Sequence, residues 1–434
     1  MATPEKNTDA VYDASTLGTP KMLVLGLQHL FAMFGATVLV PAITGLNVST
    51  TLLFAGLGTL LFHLITGRKV PAFLGSSFAF LGAYGLVTAS GQDIPLTYSC
   101  FGVAVAGLVY LVLALFFKLF GAKKVMRFFP PIVTGPIIIC IGLSLAGSAI
   151  NNCRGNWWVA LVAILVVVVC NIWGKGMIKI IPILLGVVGS YIVALIFHQV
   201  DFTEVASADF VGLQKFVIAK FDVTSILVMA PIAIAAMMEH IGDMSAISST
   251  TGKNFIEDPG LHRTLLGDGL ATTMAGLLGG PANTTYGENT GVLALSKIYD
   301  PLVIRIAAVL AIILSFSPKF EAVINTIPTG IIGGISFVLY GMISAIGVRN
   351  VVENRVDFTN SRNLIVAAVI LVSALGFNSV GGLTFMVGSV SINLSGLAIA
   401  AIVGILLNAI LPGNDYEFDA ADGTDAATSG NLQV

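Results

Sequence analysis

Four acidic side chains stand where acids are scarce. Glu239, Asp243, Asp268 and Glu288 lie within long apolar stretches that carry no Lys or Arg at comparable depth. At the centre of a bilayer a charged side chain costs about 2.5–3.5 kcal/mol on insertion scales. Carboxyls kept there point to a task. A protonated carboxyl both donates and accepts a hydrogen bond, so a pair of them matches the adjacent N–H and C=O groups of a flat, neutral, polar ring. The same groups can carry a proton. Glu239 and Asp243 are four residues apart and share a helix face. Phe78 and Tyr340 are aromatic candidates for the faces of such a ring, and ordinary core packing explains them equally well. His29, His63 and His240 read as neutral imidazoles bonded to backbone carbonyls, with His29 also a candidate proton carrier. Asp268 reads either as a proton carrier or as one half of a helix–helix hydrogen bond.

Composition says what must position these groups. Of the 434 residues, 56% are hydrophobic and 10% charged, against about 25% charged in a soluble domain. That excludes a cytosolic enzyme, a nucleic-acid binder and a disordered chain, and leaves a polytopic membrane protein. A net charge of -2 implies no electrostatic partner. The four cysteines have no metal or redox spacing and read as small apolar residues. The stretch before Met22 reads as a tail and not as a cleavable signal, and the acidic end from Asp415 reads as disordered.

Twelve runs are long and apolar enough to read as spanning helices, at roughly 20 residues per crossing. Two further segments, Val70–Ser90 and Pro281–Lys297, are apolar but interrupted. They contain Pro71-Ala72-Phe73-Leu74-Gly75-Ser76-Ser77 and Pro281-Ala282-Asn283-Thr284-Thr285-Tyr286-Gly287-Glu288-Asn289. Counting both gives fourteen. With a cytoplasmic N-terminus, Arg154, Lys215, Lys220 and Lys319 then fall outside and Arg305 within a span; the remaining sixteen of the 21 Lys and Arg fall inside. That is the positive-inside bias.

The interruptions recur in register. Pro71-Ala72 and Pro281-Ala282 are 210 residues apart, Gln28-His29 and Glu239-His240 are 211 apart, and Thr134-Gly135 and Thr329-Gly330 are 195 apart. Two halves of seven spans follow. Seven is odd, so the second half enters from the opposite face as an inverted repeat. Broken spans at equivalent places in inverted halves point to a transporter's binding site. Irregular backbone at that depth is tolerated only where protein or a wet cavity satisfies it.

These residues resemble a known family. Glu288-Asn289-Thr290-Gly291, then four residues, then Ser296-Lys297, is similar to the signature of the nucleobase–ascorbate transporters. Gln28-His29, the run Pro71 through Phe80, and Thr284 through Asn289 resemble the family's bacterial uracil-transporting members, and the similarity runs from about Met22 to Leu411. The resemblance implies an all-α polytopic fold of fourteen segments, seven inverted on seven, with short strands in segments 3 and 10. It also implies a core domain and a gate domain. The chain then divides into a cytoplasmic tail (1–21), core (22–120), gate (121–198), an extracellular loop (199–222), core (223–317), gate (318–412) and an acidic cytoplasmic tail (413–434). Glu239 and Glu288 would hydrogen-bond a pyrimidine, the backbone of Phe78 and Gly287 would add polar contacts, and Ala36, Ser77, Tyr286 and Tyr340 would line the pocket. One position departs: the family's uracil transporters carry a histidine one turn after the span-8 glutamate, where this chain has Asp243. Purine-type members often have aspartate there and at the place of Asp268, so xanthine or a dual range stays open beside uracil.

The expectation is a proton-coupled symporter importing uracil across a bacterial cytoplasmic membrane by an elevator-like motion of core against gate. Asp243, Glu239, Asp268 and His29 are the proton-coupling candidates. The expected partners are a nucleobase, membrane lipid and a second copy joined through the gate domain. No cofactor, metal, nucleic acid or enzymatic reaction is expected. The rival of another class is an anion transporter of related architecture, which would aim half-helix N-termini at its ligand and want a basic or neutral pocket.

Overall fold

The computed structural model describes residues 10–89, 96–213, 216–387, 390–413 and 416. Lys6 and Lys215 of the charge count, Ser90 of the first broken segment and nearly all of the tail 413–434 lie outside the described residues. Seven helices are long and apolar enough to cross a membrane: Thr19–Thr44, Val48–Ile65, Leu96–Phe120, Pro131–Cys153, Val223–Thr251, Thr329–Glu353 and Ser361–Ser379. Pro301–Ser315 and Pro318–Asn325 meet at an 87° bend and together pass as an eighth. Trp157–Trp173, Pro182–Ile196 and Gly396–Ile410 are apolar but shorter. Large side chains such as Trp158, Trp173, Val372 and Ile410 point outward into what lipid must cover. The chain is a multi-pass, mostly helical membrane protein.

The helices around the site are α1 (Thr19–Thr44), α2 (Val48–Ile65), α3 (Leu81–Ala89), α4 (Leu96–Phe120), α5 (Pro131–Ser144), α6 (Trp157–Trp173), α7 (Pro182–Ile196), α8 (Ile232–Thr251), α9 (Leu261–Leu277), α10 (Gly287–Ser296), α11 (Pro301–Ser315), α12 (Thr329–Glu353), α13 (Ser361–Ser379) and α14 (Gly396–Ile410). Their ends follow local chemistry. Asn47 caps α2 by accepting from Thr50 N–H at 2.7 Å, and Asp300 caps α11 by accepting from Leu302 N–H at 2.8 Å. α1 stops at Gly45, left-handed at φ 79°, whose N–H returns to Pro41 O.

Each interrupted segment folds as a strand followed by a short helix: β1 (Leu74–Ser76) into α3, and β2 (Asn283–Thr285) into α10. The Pro-Ala pairs precede the strands, because proline cannot donate to a ladder. β1 and β2 pair antiparallel, with Gly75 opposite Thr284. Ser77 N–H to Ala282 O (2.8 Å) and Tyr286 N–H to Phe73 O (3.0 Å) close the ladder on either side. α3 has nine residues and α10 ten, about 14–15 Å each, half of a ~30 Å hydrocarbon core. Strand ends at that depth need partners. Thr59 of α2 accepts from Leu74 N–H at 2.9 Å and faces Leu74 O at 3.2 Å. Thr272 of α9 does the same to Asn283, at 3.1 Å each way.

Helices touch most closely where side chains are smallest, as membrane packing favours. A Cβ on Gly107 of α4 would lie 2.6 Å from Gly269 O of α9, and one on Gly56 of α2 would lie 2.6 Å from Ala308 O of α11. A Cβ on Gly347 of α12 would lie 2.8 Å from Gly135 O of α5, and Gly142 of α5 abuts the Tyr340 carbonyl. Residues 11–14 of the expected tail are docked: Val11 N–H donates to Lys297 O at 2.9 Å, and Ala14 N–H to Asp300 Oδ2 at 2.7 Å.

One feature escapes the sequence pattern. A second antiparallel pair, the hairpin of β3 (Leu383–Val387) with β4 (Val390–Leu394), joins α13 to α14. The fold class therefore needs one hairpin more than strands confined to segments 3 and 10. Its alternation is five residues long on each side and wedged between apolar helices, too short to stand out from them.

Candidate functional site

The site is assembled around the β1–β2 pair. Phe78 and Gly287 are the first residues beyond the closing ladder bonds, one on each strand. Gly287 opens α10, and Glu288 follows in its first turn. A Cβ at Gly287 would lie 3.9 Å from Asp243 Oδ1 and 3.5 Å from Ile346 of α12, so the backbone here passes between α8 and α12. Asp243, 8% exposed, accepts from Thr285 Oγ1 at 2.7 Å. That bond ties α8 to β2. Glu239 lies one turn earlier on the same face, within electrostatic range of Asp243, Glu288 and Asp268.

Several buried polar atoms around the site have no hydrogen-bond partner among the described residues, Glu239 Oε2, Ser77 Oγ, Asn289 Oδ1, Asp268 Oδ1, His240 Nε2 and the Tyr340 hydroxyl among them. A buried polar group without a partner costs about 1–3 kcal/mol. Phe78 meets Tyr340 edge to face, at 5.9 Å between ring centroids and 71° between planes. These rings join the broken segment to α12.

Other expected site residues hold the frame. The Tyr286 hydroxyl donates to Ser76 O at 3.0 Å and accepts from Thr37 Oγ1 at 3.3 Å, while Ser76 Oγ donates to Thr37 O at 3.0 Å. Tyr286 thus fastens β1 and β2 to α1, and its ring lies over Gly75, where no Cβ would fit. Ala36 is fully buried on α1 beside Thr37.

The histidines divide. His63 Nε2 sits 2.8 Å from Ala72 O, a backbone carbonyl, as expected. His29 instead meets Asn289, whose Nδ2 lies 3.1 Å from His29 Nδ1 and donates to His29 O at 3.1 Å. That links α10 to α1, a role for Asn289 that the signature alone does not reveal. His240 also departs from the carbonyl expectation. Its Nδ1 is 2.8 Å from Asp268 Oδ2, both side chains wholly buried, joining α8 to α9. The acid it meets is 28 residues away in the chain. Asp268 therefore makes a helix–helix hydrogen bond.

Among the described residues, no group of three His, Cys, Asp or Glu side chains could hold a metal. A cavity of about 230 Å³ adjoins Glu288, between α1, α7, α10 and α12. Of the expected site residues, Gly287 and Glu288 line this cavity, whereas Ala36, Ser77, Phe78, Glu239, Asp243, Tyr286 and Tyr340 do not.

Residues 20–410 match the model of the Permease family Xan_ur_permease. The uracil permease of Bacillus caldolyticus is 44% identical over 419 residues, covering 93% of this chain and 94% of that one. The uracil permease of Bacillus subtilis (strain 168) is 40% identical over 405 residues, covering 89% and 91%. That of Escherichia coli (strain K12) is 37% identical over 397 residues, covering 89% and 90%. Among solved structures, the transmembrane domain of the cyanobacterial bicarbonate transporter BicA superposes with TM-score 0.62 at 16% identity, covering 92% of this chain and 99% of that one. SLC26A9 superposes with TM-score 0.63 at 11% identity, covering 92% and 66%. At those identities the likeness shows the fold alone. With a family model matched along nearly its whole length, and with relatives at 37–44% identity, this chain belongs to the Xan_ur_permease permease family, a family of membrane transporters and not of enzymes.

Proposed function

We propose that the protein is a proton-coupled symporter that imports uracil. The observation that carries this is that Glu288 stands in the first turn of α10 directly after β2 while Glu239 stands one turn from Asp243, which Thr285 ties to β2, with Glu239 Oε2 buried and unpartnered among the described residues. Carboxyls suit the N–H edge of a neutral pyrimidine. They suit an anion badly, although Lys179 also lines the cavity that adjoins Glu288. Relatives named uracil permeases at 40–44% identity support uracil first. Asp243, where a histidine is expected in uracil transporters, keeps xanthine as the second reading.

A neutral substrate draws nothing from the membrane potential. A co-transported proton supplies about 2.3 kcal/mol per 100 mV. Asp243 and Glu239 are the carriers we favour, with Asp268 and His29 behind them. Fourteen segments in two inverted halves are supported by the matched strand-and-half-helix pairs and by the equivalent threonines of α2 and α9. In this reading α1–α4 with α8–α11 form the core, and α5–α7 with α12–α14 form the gate. The contacts between them include apolar ones, such as Ile183 on Gly35 and Ile138 on Gly242, which suit an elevator-like sliding, and a hydrogen bond from Asn47 Nδ2 to Glu321 Oε1. The outward faces of α6 and α13 would receive a second copy, and both termini would be cytoplasmic in a bacterial plasma membrane.

The test is uracil binding and uptake on purified protein in proteoliposomes. Wild-type protein should accumulate uracil only with an inward proton gradient. Glu239→Gln and Glu288→Gln should each weaken binding by at least about tenfold, 1.4 kcal/mol. Equal accumulation without the gradient defeats coupling, and unaltered affinity in either variant defeats the site.

A further inference from the structure

We propose that the basic cleft between the linker joining α4 to α5 and the end of α14 holds the headgroup of an anionic phospholipid, with Lys124 and Arg127 on its phosphate. The cleft is open, about 760 Å³, and Lys124, Arg127 and Phe128 of the linker line it together with Ile410, Leu411 and Pro412. It shares no lining residue with the site around β1 and β2.

Local sequence sets out the cations. After Gly121, at φ 80°, a value glycine permits, the linker forms the short helix Ala122–Met126. Val125 and Met126 are buried, which leaves Lys124, Arg127 and Phe128 exposed. Bonds to the bundle fix Arg127. Asn408 Nδ2 of α14 donates to Arg127 O at 3.0 Å. Arg362 of α13 donates to Asn408 O at 2.7 Å and to Asn408 Oδ1 at 3.0 Å. Arg362 thus covers the closing carbonyls of α14, whose partial negative charge would repel an anion, and is itself engaged. Lys124 and Arg127 are not: among the described residues neither has an acidic partner, and no acid lines the cleft.

Cations alone would suit any anion; the apolar half of the cleft selects a lipid. Ile410 is 75% exposed and Phe128 47%. Acyl chains would cover them while the phosphate met the cations, as anionic headgroups do in basic pockets between spanning helices. The volume exceeds what a bare phosphate fills. In the core-and-gate reading above, residues 121–130 join the two domains, so a lipid held here would anchor that linker.

The experiment uses the full-length protein in neutral detergent, titrated with phosphatidylglycerol or phosphatidylcholine, with retained lipid counted by native mass spectrometry. Phosphatidylglycerol should bind at least about tenfold more tightly than phosphatidylcholine. Lys124→Ala combined with Arg127→Ala should weaken it by at least about tenfold and leave phosphatidylcholine unchanged, whereas Lys124→Arg should keep it. Lys175→Ala with Arg355→Ala removes two exposed cations elsewhere and should also keep it. Glycerol 3-phosphate, which has the charge without the chains, should bind at least about tenfold more weakly than the lipid. Equal affinity for the two lipids overturns the site, as does an unaltered Lys124→Ala/Arg127→Ala variant or an equal loss in the Lys175→Ala/Arg355→Ala control. Glycerol 3-phosphate binding as tightly as the lipid overturns the lipid in favour of a free anion. Lipid binding that emerges only with Asp415→Asn, Glu417→Gln and Asp419→Asn together would make the chain's own acidic segment the occupant, and overturns it too. Uracil is absent throughout, so failure here leaves the nucleobase reading standing, and failure of that reading leaves this result unchanged.

Discussion

The two threonines that hold the strand ends give a sharp test, because valine has their shape without the hydroxyl. Thr272 is fully buried. Its Oγ1 accepts from Asn283 N–H and donates to Asn283 O, at 3.1 Å each. Thr272→Val leaves one N–H and one C=O buried without partners, at about 1–3 kcal/mol for each group, or roughly 2–6 kcal/mol together. Thr59 differs in one respect. Its single proton is shared between Ala55 O at 2.7 Å and Leu74 O at 3.2 Å, so the Leu74 carbonyl already depends on it less. Thr59→Val should therefore cost mainly the Leu74 N–H partner, about 1–3 kcal/mol. Denaturant unfolding of purified protein in detergent reads the ranking, and uracil affinity reads its effect on Phe78 and Gly287 just beyond the strands. Thr272→Val should lose more stability than Thr59→Val, and both should bind uracil more weakly. Thr272→Ser, which keeps the hydroxyl, should restore most of the loss. The reasoning fails if Thr272→Val stays within about 0.5 kcal/mol of wild type, the range of neutral surface changes.

Asp243→Asn keeps an acceptor for Thr285 and removes the ability to release a proton. It should bind uracil within about threefold of wild type while gradient-driven accumulation falls and its pH dependence flattens; an unchanged pH profile clears Asp243 of coupling. Asn289→Ala removes both contacts with His29 and should lower stability by about 1–3 kcal/mol and weaken uracil binding, since α10 loses its tie to α1; a wild-type melting curve would show that the tie is idle.

The parts of the fold visible in sequence are those set by local rules. Proline at 71 and 281, followed by Gly75-Ser76-Ser77 in one segment and Thr284-Thr285 in the other, argues against a continuous helix, and the strands and half-helices are where that chemistry puts them. Glu288 and Glu239 stand out because an acid in an apolar run has few innocent explanations. What was not legible depends on groups far apart in the chain. A threonine inside a helix, such as Thr272, reads as bonded to its own backbone, and nothing near it shows that it serves a strand end instead. His240 and Asp268 are each ordinary alone, and the bond between them exists only because α8 and α9 pack. Tyr286 reads as a pocket wall by position, yet its hydroxyl is spent on Ser76 and Thr37. The β3–β4 hairpin was missed for a local reason, its brevity.

These partnerships sort the polar groups by what they can do. Tyr286, Thr285 and the Asn289 amide nitrogen are bonded within the protein. A ligand could engage them only by breaking an existing bond, and the exchange would gain little. Glu239 Oε2, Ser77 Oγ, Asn289 Oδ1, His240 Nε2 and Asp268 Oδ1 are among the buried atoms that have no partner among the described residues, so a ligand that bonds them recovers a cost already present. Affinity should therefore concentrate on a few atoms, while substitutions in the bonded set act through the placement of those atoms. The two sets predict different signatures in mutants. Loss of Glu239 should weaken uracil binding without lowering stability, because its buried oxygen contributes nothing to the unliganded fold. Loss of the Thr285 hydroxyl should lower both together. A Glu239→Gln variant that unfolds more readily than wild type, with a Thr285→Val variant that does not, would invert the assignment and with it the division between frame and grip.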